Sequence, residues 1–166
     1  MKLTIKQLLT TIAVLLCSVV VNAYDFEIDG IRYDIISFTD LTVKASSVSE
    51  AITSELSIPS KVQFSGKELT VIEIGDEFAI SNTTISSLTV NDGVTYIGER
   101  AFKNCINLTT INIAQTIKQI GAECFYGCIA LENFNNQGII TLGAKNFAEC
   151  NNLKNISTEF FLLDLL

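Results

Sequence analysis

LTVNDGVTYIGERAFKNC, Leu88 to Cys105, is the stretch whose reading decides the fold, because it recurs. Extended to its full unit it is TTISSLTVNDGVTYIGERAFKNC (Thr83 to Cys105). INLTTINIAQTIKQIGAECFYGC (Ile106 to Cys128) and IALENFNNQGIITLGAKNFAEC (Ile129 to Cys150) follow, with periods of 23, 23 and 22. Individual columns agree: Ile97, Ile120 and Leu142; Gly98, Gly121 and Gly143; Phe102, Phe125 and Phe147; Cys105, Cys128 and Cys150. Self-similarity at this period is the mark of a leucine-rich-repeat solenoid, mainly β, with short parallel strands stacked coil on coil.

Within a unit, Leu88 and Val90, like Ile111 and Ile113, alternate with polar residues and point inward, with Ile85 and Leu108 just upstream. The glycine column lets the chain bend, and the phenylalanines form a column between coils. Equivalent residues of neighbouring strands lie about 4.8 Å apart, so each alignment column becomes a physical ladder. Glu77, Arg100, Glu123 and Lys145 form one that alternates in sign, a structural device for register.

Outward from the repeats, the chain has 166 residues, one domain's worth. Lys2 and Lys6 precede an apolar run from Leu8 to Val21, and Val21-Asn22-Ala23 has the form of a signal-peptidase site, so residues 1–23 read as a signal peptide. The run is too short for a membrane anchor, and Leu16 before Cys17 is too bulky for a lipoprotein site. Residues 24–70 read as an N-terminal β cap and lead-in, 71–158 as repeats, and 159–166 as an apolar tail. In the cap, YDFEIDGIRYDII alternates with period 2 around Asp29-Gly30, a hairpin signature. Asp25, Glu27 and Asp29 form a row along it, which suits a solvated face better than calcium. Leu41 to Ala45 reads as a strand, Ser46 to Ser54 as a loop, and Ser65-Gly66-Lys67 as a turn into LTVIEIGDEF. There Phe78 stands one position early relative to Phe102. Asn151 begins a further copy, with Leu153 and Ile156 matching Leu131 and Phe134.

Removing the first 23 residues leaves 9 basic against 18 acidic residues, a net charge of −9. That balance argues against nucleic acid, whose phosphates require clustered Lys and Arg. The chain has no histidine. Serine or cysteine nucleophiles usually need such a base, and no phosphate loop or paired-carboxylate motif appears, so no enzyme, metal or cofactor is expected. Cys105, Cys124, Cys128 and Cys150 read as small buried fillers, with disulfides open in an exported protein. The Asn82, Asn107 and Asn155 sequons read as turn residues.

The outward columns of the main strands are Ser87, Thr110, Asn133 and Asn155, then Thr89, Asn112, Asn135 and Ser157. None is charged or aromatic, which favours a protein partner over a carbohydrate. Ser87, Thr89, Thr110, Asn112, Asn133 and Asn135 are the candidate binding residues, with a plain solvated surface as the alternative.

LTVNDGVTYIGERAFKNC and INIAQTIKQIGAECFYGC closely resemble the BspA-like leucine-rich repeats, with their I-G-x-x-A-F-x-x-C core. YDFEIDGIRYDI and IPSKVQFSGKELTVIEIG are similar to the start of secreted bacterial members. Cys124 and Asn146 stand where the family has Ala, and Asn82 where it has Cys. The resemblance implies a secreted or cell-surface protein, the periplasm being the other exported destination. It further implies an adhesin-like role toward host matrix or cell-surface proteins. The alternative is an assembly piece that self-associates through its C-terminal repeat edge and the tail Phe160 to Leu166.

Overall fold

A computed structural model describes residues 24–136 and 141–158. The signal-peptide reading of 1–23 and the apolar tail 159–166 lie outside the described residues. The described chain is a leucine-rich-repeat solenoid built from strands and turns. Its opening strands are β1 (Phe26–Ile28), β2 (Ile31–Ser37), β3 (Thr42–Val48), β4 (Glu55–Ile58), β5 (Lys61–Phe64) and β6 (Lys67–Ile74). The repeats add β7 (Ser87–Val90), β8 (Tyr96–Ile97), β9 (Thr110–Ile113), β10 (Gln119–Ile120), β11 (Asn133–Asn136), β12 (Thr141–Leu142) and β13 (Asn155–Thr158).

Each coil has three sides. A main strand alternates inward aliphatics with outward polar residues, as in Ser87-Leu88-Thr89-Val90, and stacks in parallel on its neighbours: β4 on β7 and β7 on β9. A two-residue strand such as β8 forms a second wall, paired in the order β6-β8-β10-β12. The Gly-to-Cys turn closes the third side. Leu88, Ile97 and Phe102, fully buried, meet from the three sides.

Coil is bonded to coil on every side. The short strands pair in parallel, and just past them each coil donates back to the one before, from Gly98 N to Ile74 O and from Gly121 N to Ile97 O, both at 2.8 Å. Along the turns it donates forward, from Phe102 N to Cys124 O and from Arg100 N to Ala122 O, both at 2.9 Å. Every second turn N–H is thereby satisfied by the next coil, while Lys103 N and Cys105 N close within the turn, on Arg100 O at 3.1 Å and Phe102 O at 3.2 Å, and Glu99 N reaches back to Asp76 Oδ1 at 2.8 Å.

Two turn positions per coil take the left-handed backbone. One column is Glu77, Arg100, Glu123 and Lys145, at φ 53–57°; the other is Ser81, Asn104, Gly127 and Glu149, at φ 57–68°. The alternating-sign column is therefore first a column of backbone conformation, and its charges are only partly matched. Arg100 Nη2 meets Glu77 Oε1 at 2.9 Å, but Glu123 binds Lys103 at 2.5 Å instead of Arg100. Lys145 has no ion pair among the described residues.

The repeat glycines have a different reason from the expected bend. Gly98, Gly121 and Gly143 do not adopt positive φ. A Cβ on Gly121 would lie 2.6 Å from Glu99 N, and one on Gly143 would lie 2.4 Å from Ala122 N. Glycine is required because successive coils touch there, backbone to backbone.

The phenylalanine column forms as expected. Phe102 and Phe125 stack at 5.6 Å and 8°, and Phe125 and Phe147 at 5.8 Å and 7°. Phe78, one position early, still reaches the column and meets Phe102 edge-on at 5.8 Å and 66°.

The cap is more than a hairpin. β1 and β2 pair around Asp29 (φ 50°) and Gly30 (φ 77°), β2 pairs antiparallel with β3, and β3 lies parallel on β6. Thus β3 supplies the neighbour that the short-strand wall needs at its start, and Val48 N–H donates to Phe78 O at 3.1 Å as a preceding coil would. The strand expected at Leu41 to Ala45 extends to Val48, so Ser46 to Val48 are not loop. Glu55–Ile58, which shows no repeat signal, is a rung of the main sheet in register with Ser87–Val90. At the other end Ile156, on the last described rung, is 38 % exposed.

Candidate functional site: the main-strand face

All six candidate residues project outward. Thr110, Asn112, Asn133 and Asn135 are exposed, and Ser87 and Thr89 are half-buried by their neighbours. Parallel register sets Ser87 beside Thr110 and Thr89 beside Asn112, while Asn133 and Asn135 pair with Asn155 and Ser157. The six are not one continuous sheet. β4-β7-β9 form one and β11-β13 another. The break coincides with Phe134, whose ring occupies the inward place held by Leu88 and Ile111 and packs on Phe125 and Phe147 at 5.9 and 4.8 Å. Among the described residues β11 pairs with β13 alone, and no ladder joins it to β9.

Local polar bonds link the rungs of the face. Thr109 Oγ1 donates to Ser86 O at 3.0 Å, Ser86 Oγ to Ser54 O at 3.3 Å, and Asn155 Nδ2 to Asn133 Oδ1 at 2.7 Å. At the strand exit Asn91 Nδ2 reaches both Ile58 O and Ser57 Oγ, at 2.9 and 3.2 Å. The sequence reading missed that β4 continues the two columns: Glu55 pairs with Ser87 and Ser57 with Thr89. Glu55 thus adds one carboxylate to an otherwise uncharged face. The short-strand wall is acidic by contrast. Burial first, then Asp76, Glu99 and Glu73, raise the Tyr96 phenol above its ordinary value.

The four cysteines among the described residues, Cys105, Cys124, Cys128 and Cys150, are free thiols, all buried. Cys105, Cys128 and Cys150 donate Sγ–H to Ala79 O, Phe102 O and Phe125 O at 3.0–3.2 Å, one coil back. Burial pushes Cys105 up to about 12 and raises the other three, so none is suited to act as a thiolate nucleophile. In the first coil Asn82 replaces the thiol, and its Oδ1 accepts from Thr84 N and Ile85 N at 2.8 and 2.9 Å, the turn role expected for it.

One feature no motif announced is a cleft of about 500 Å³ between the cap and the first coil, lined by Val48, Glu50, Glu77, Phe78, Ile80 and Asn82 among others. Beside it, the Ser49 hydroxyl and then Arg32 hold the Glu27 carboxyl below its usual range. Among the described residues no helix is long and apolar enough to cross a membrane.

The family model described as BspA type leucine rich repeat region (6 copies) matches residues 72–162. The chain belongs to the BspA-type leucine-rich repeat family. It is, on that ground, a repeat module of a protein-interaction class. Among solved structures, a leucine-rich repeat protein from Bacteroides capillosus is similar at 23 % identity and TM-score 0.70, covering 81 % of this chain and 97 % of that one. One from Bacteroides ovatus is similar at 28 % identity and TM-score 0.65, covering 81 % of this chain and 41 % of that one. A leucine rich cell surface protein from Faecalibacterium prausnitzii is similar at 18 % identity and TM-score 0.63, covering 82 % and 43 %. This BspA-type chain thus spans less than half of the latter two. No curated protein matches it in sequence.

Proposed function

We propose that this protein is an exported, non-catalytic binding module. In this reading it is adhesin-like and holds a host matrix or cell-surface protein through Ser87, Thr89, Thr110, Asn112, Asn133 and Asn135. The observation that carries the reading is the parallel register that lines these hydroxyl and amide groups up on one side of the stack. Such groups accept a partner's hydrogen bonds at a low desolvation cost compared with charges. Export is supported by the signal-like residues 1–23 and by the cell-surface description of the Faecalibacterium protein. The test is binding of the full chain to immobilised matrix proteins, with Thr110→Glu and Asn112→Arg introduced together. Loss of capture is the expected result. Unchanged capture of every partner found for the wild type removes the face from consideration.

A second reading, self-association through the C-terminal edge, draws on the exposure of Ile156 at the last described rung. It requires an oligomer that dissociates when Phe160 to Leu166 is deleted, read by light scattering.

A further inference from the structure

β4 has β7 on one side and no strand on the other among the described residues. Ser54 O accepts from Ser86 N and Ser87 N, and Ile58 O from Asn91 N. Parallel pairing alternates the direction of successive residues, so Ser54, Leu56 and Ile58 face β7 while Glu55 and Ser57 turn their backbone groups to the open side. The Thr53 hydroxyl covers Glu55 O at 3.1 Å. Among the described residues, Glu55 N–H and both backbone groups of Ser57 have no partner.

A groove runs along this edge, made of two adjoining hollows of about 450 and 510 Å³ that share Asp29, Ile31 and Ser57. Ile28 and Pro59 are its partly exposed apolar walls, with Ile31, Tyr33 and Val62 buried at its floor. Asp29 and Glu55 supply two carboxylates, neither ion-paired among the described residues. Lys61, at the far end, is already bound to Glu68 at 2.5 Å.

We propose that this edge docks an extended segment of a protein partner as an added strand beside β4, with an apolar side chain in the Ile31–Val62 hollow and a Lys or Arg against Asp29 and Glu55. Main-chain pairing supplies affinity in such strand addition, and pockets for alternate side chains supply selectivity. The uncompensated carboxylates select a cation, and the chain's negative charge steers one toward it. This surface does not depend on the Thr110/Asn112 face, although Glu55 and Ser57 extend that face by one rung.

The test uses the full chain and a heptapeptide of alternating valine and threonine with one lysine. A second peptide carries glutamate in the lysine's place. Amide NMR should show shifts at Asp29, Ile31, Glu55 and Ser57, slowed exchange of the Ser57 N–H, and at least tenfold tighter binding of the lysine peptide. Ser57→Pro removes an N–H that β7 does not use, a substitution an edge strand accommodates, and should weaken binding at least tenfold. Glu55→Lys, which leaves the backbone unchanged, should reverse the preference between the two peptides. Thr110→Glu with Asn112→Arg should leave peptide binding as it was, which separates this site from the face. Equal binding by Ser57→Pro, an unchanged preference in Glu55→Lys, or shifts confined to Ser87–Asn112 would overturn the proposal. So would a concentration-dependent dimer that Ser57→Pro dissolves, which would give the edge to a second copy.

Discussion

At the turn, a Cβ on Gly121 would sit 2.6 Å from the Glu99 nitrogen, whereas on the strand face one column is filled in turn by Glu55, Ser87, Thr110, Asn133 and Asn155. From Ser87 onward both regions stack at the same period. The turn repeats its residues because backbone meets backbone there and a side chain has no alternative placement. The strand face repeats only the alternation, since any residue that tolerates a pleated surface serves. Near-identity of sequence therefore marks where the coil is built, and variation marks where it is free to be used.

The largest expected effect breaks the turn side. Phe125 is fully buried between two stacked rings, and Phe125→Ala should cost about 4 kcal/mol in chemical denaturation. Gly121→Ala should cost about 3 kcal/mol, because neighbouring backbone atoms lie within 2.9 Å of the new Cβ and the coils carrying Gly98 and Gly121 must separate. If that variant kept wild-type stability, the close-approach account of the glycine column would fail.

A smaller effect sharpens the account of the thiols. Their folded pKa values are raised above the ordinary 9.0 by burial, Cys105 to about 12. Protonated thiols are favoured by the fold, so this stability is complete below about pH 9 and is lost as pH rises toward 12. Denaturant midpoints should fall between pH 8 and pH 10.5, and fall less in Cys105→Ala.

Glu149→Gly acts in the other direction. Glu149 has φ 61° in the column where Gly127 stands one coil earlier, so glycine there should stabilise by about 0.5 to 1 kcal/mol in the same assay. The smallest effect is on the face. Thr110→Glu with Asn112→Arg should leave stability within about 0.5 kcal/mol while abolishing partner capture. A large loss of stability would mean that the face is part of the framework.

Legibility follows the same division. The Ile-Gly, Phe and Cys columns and the Asp29-Gly30 turn could be read directly, because each is a local constraint on one residue type. β4 could not. Glu55 pairs with Ser87 at an offset of 32, against 23 for Ser87 with Thr110, so it falls outside the repeat period. The reason is an insertion: Ile58 to Ile74 spans 16 positions, against 7 from Val90 to Ile97, and the extra chain is the β5–β6 hairpin. The face itself was legible as outward columns. Its interruption between β9 and β11 was not, because Asn133 to Asn136 keep the same alternation as the rungs before them.

By itself, then, the sequence determined the period, the coil's inward residues and the turn chemistry, since these depend on contacts that recur at every step of the stack. Tertiary structure decided what occurs once: β3 standing in for a missing coil, β4 entering as an extra rung with an open edge, Glu123 choosing Lys103 over Arg100, and two separate strand sheets. A repeated constraint leaves a mark in every copy, whereas a contact made once between distant segments leaves none.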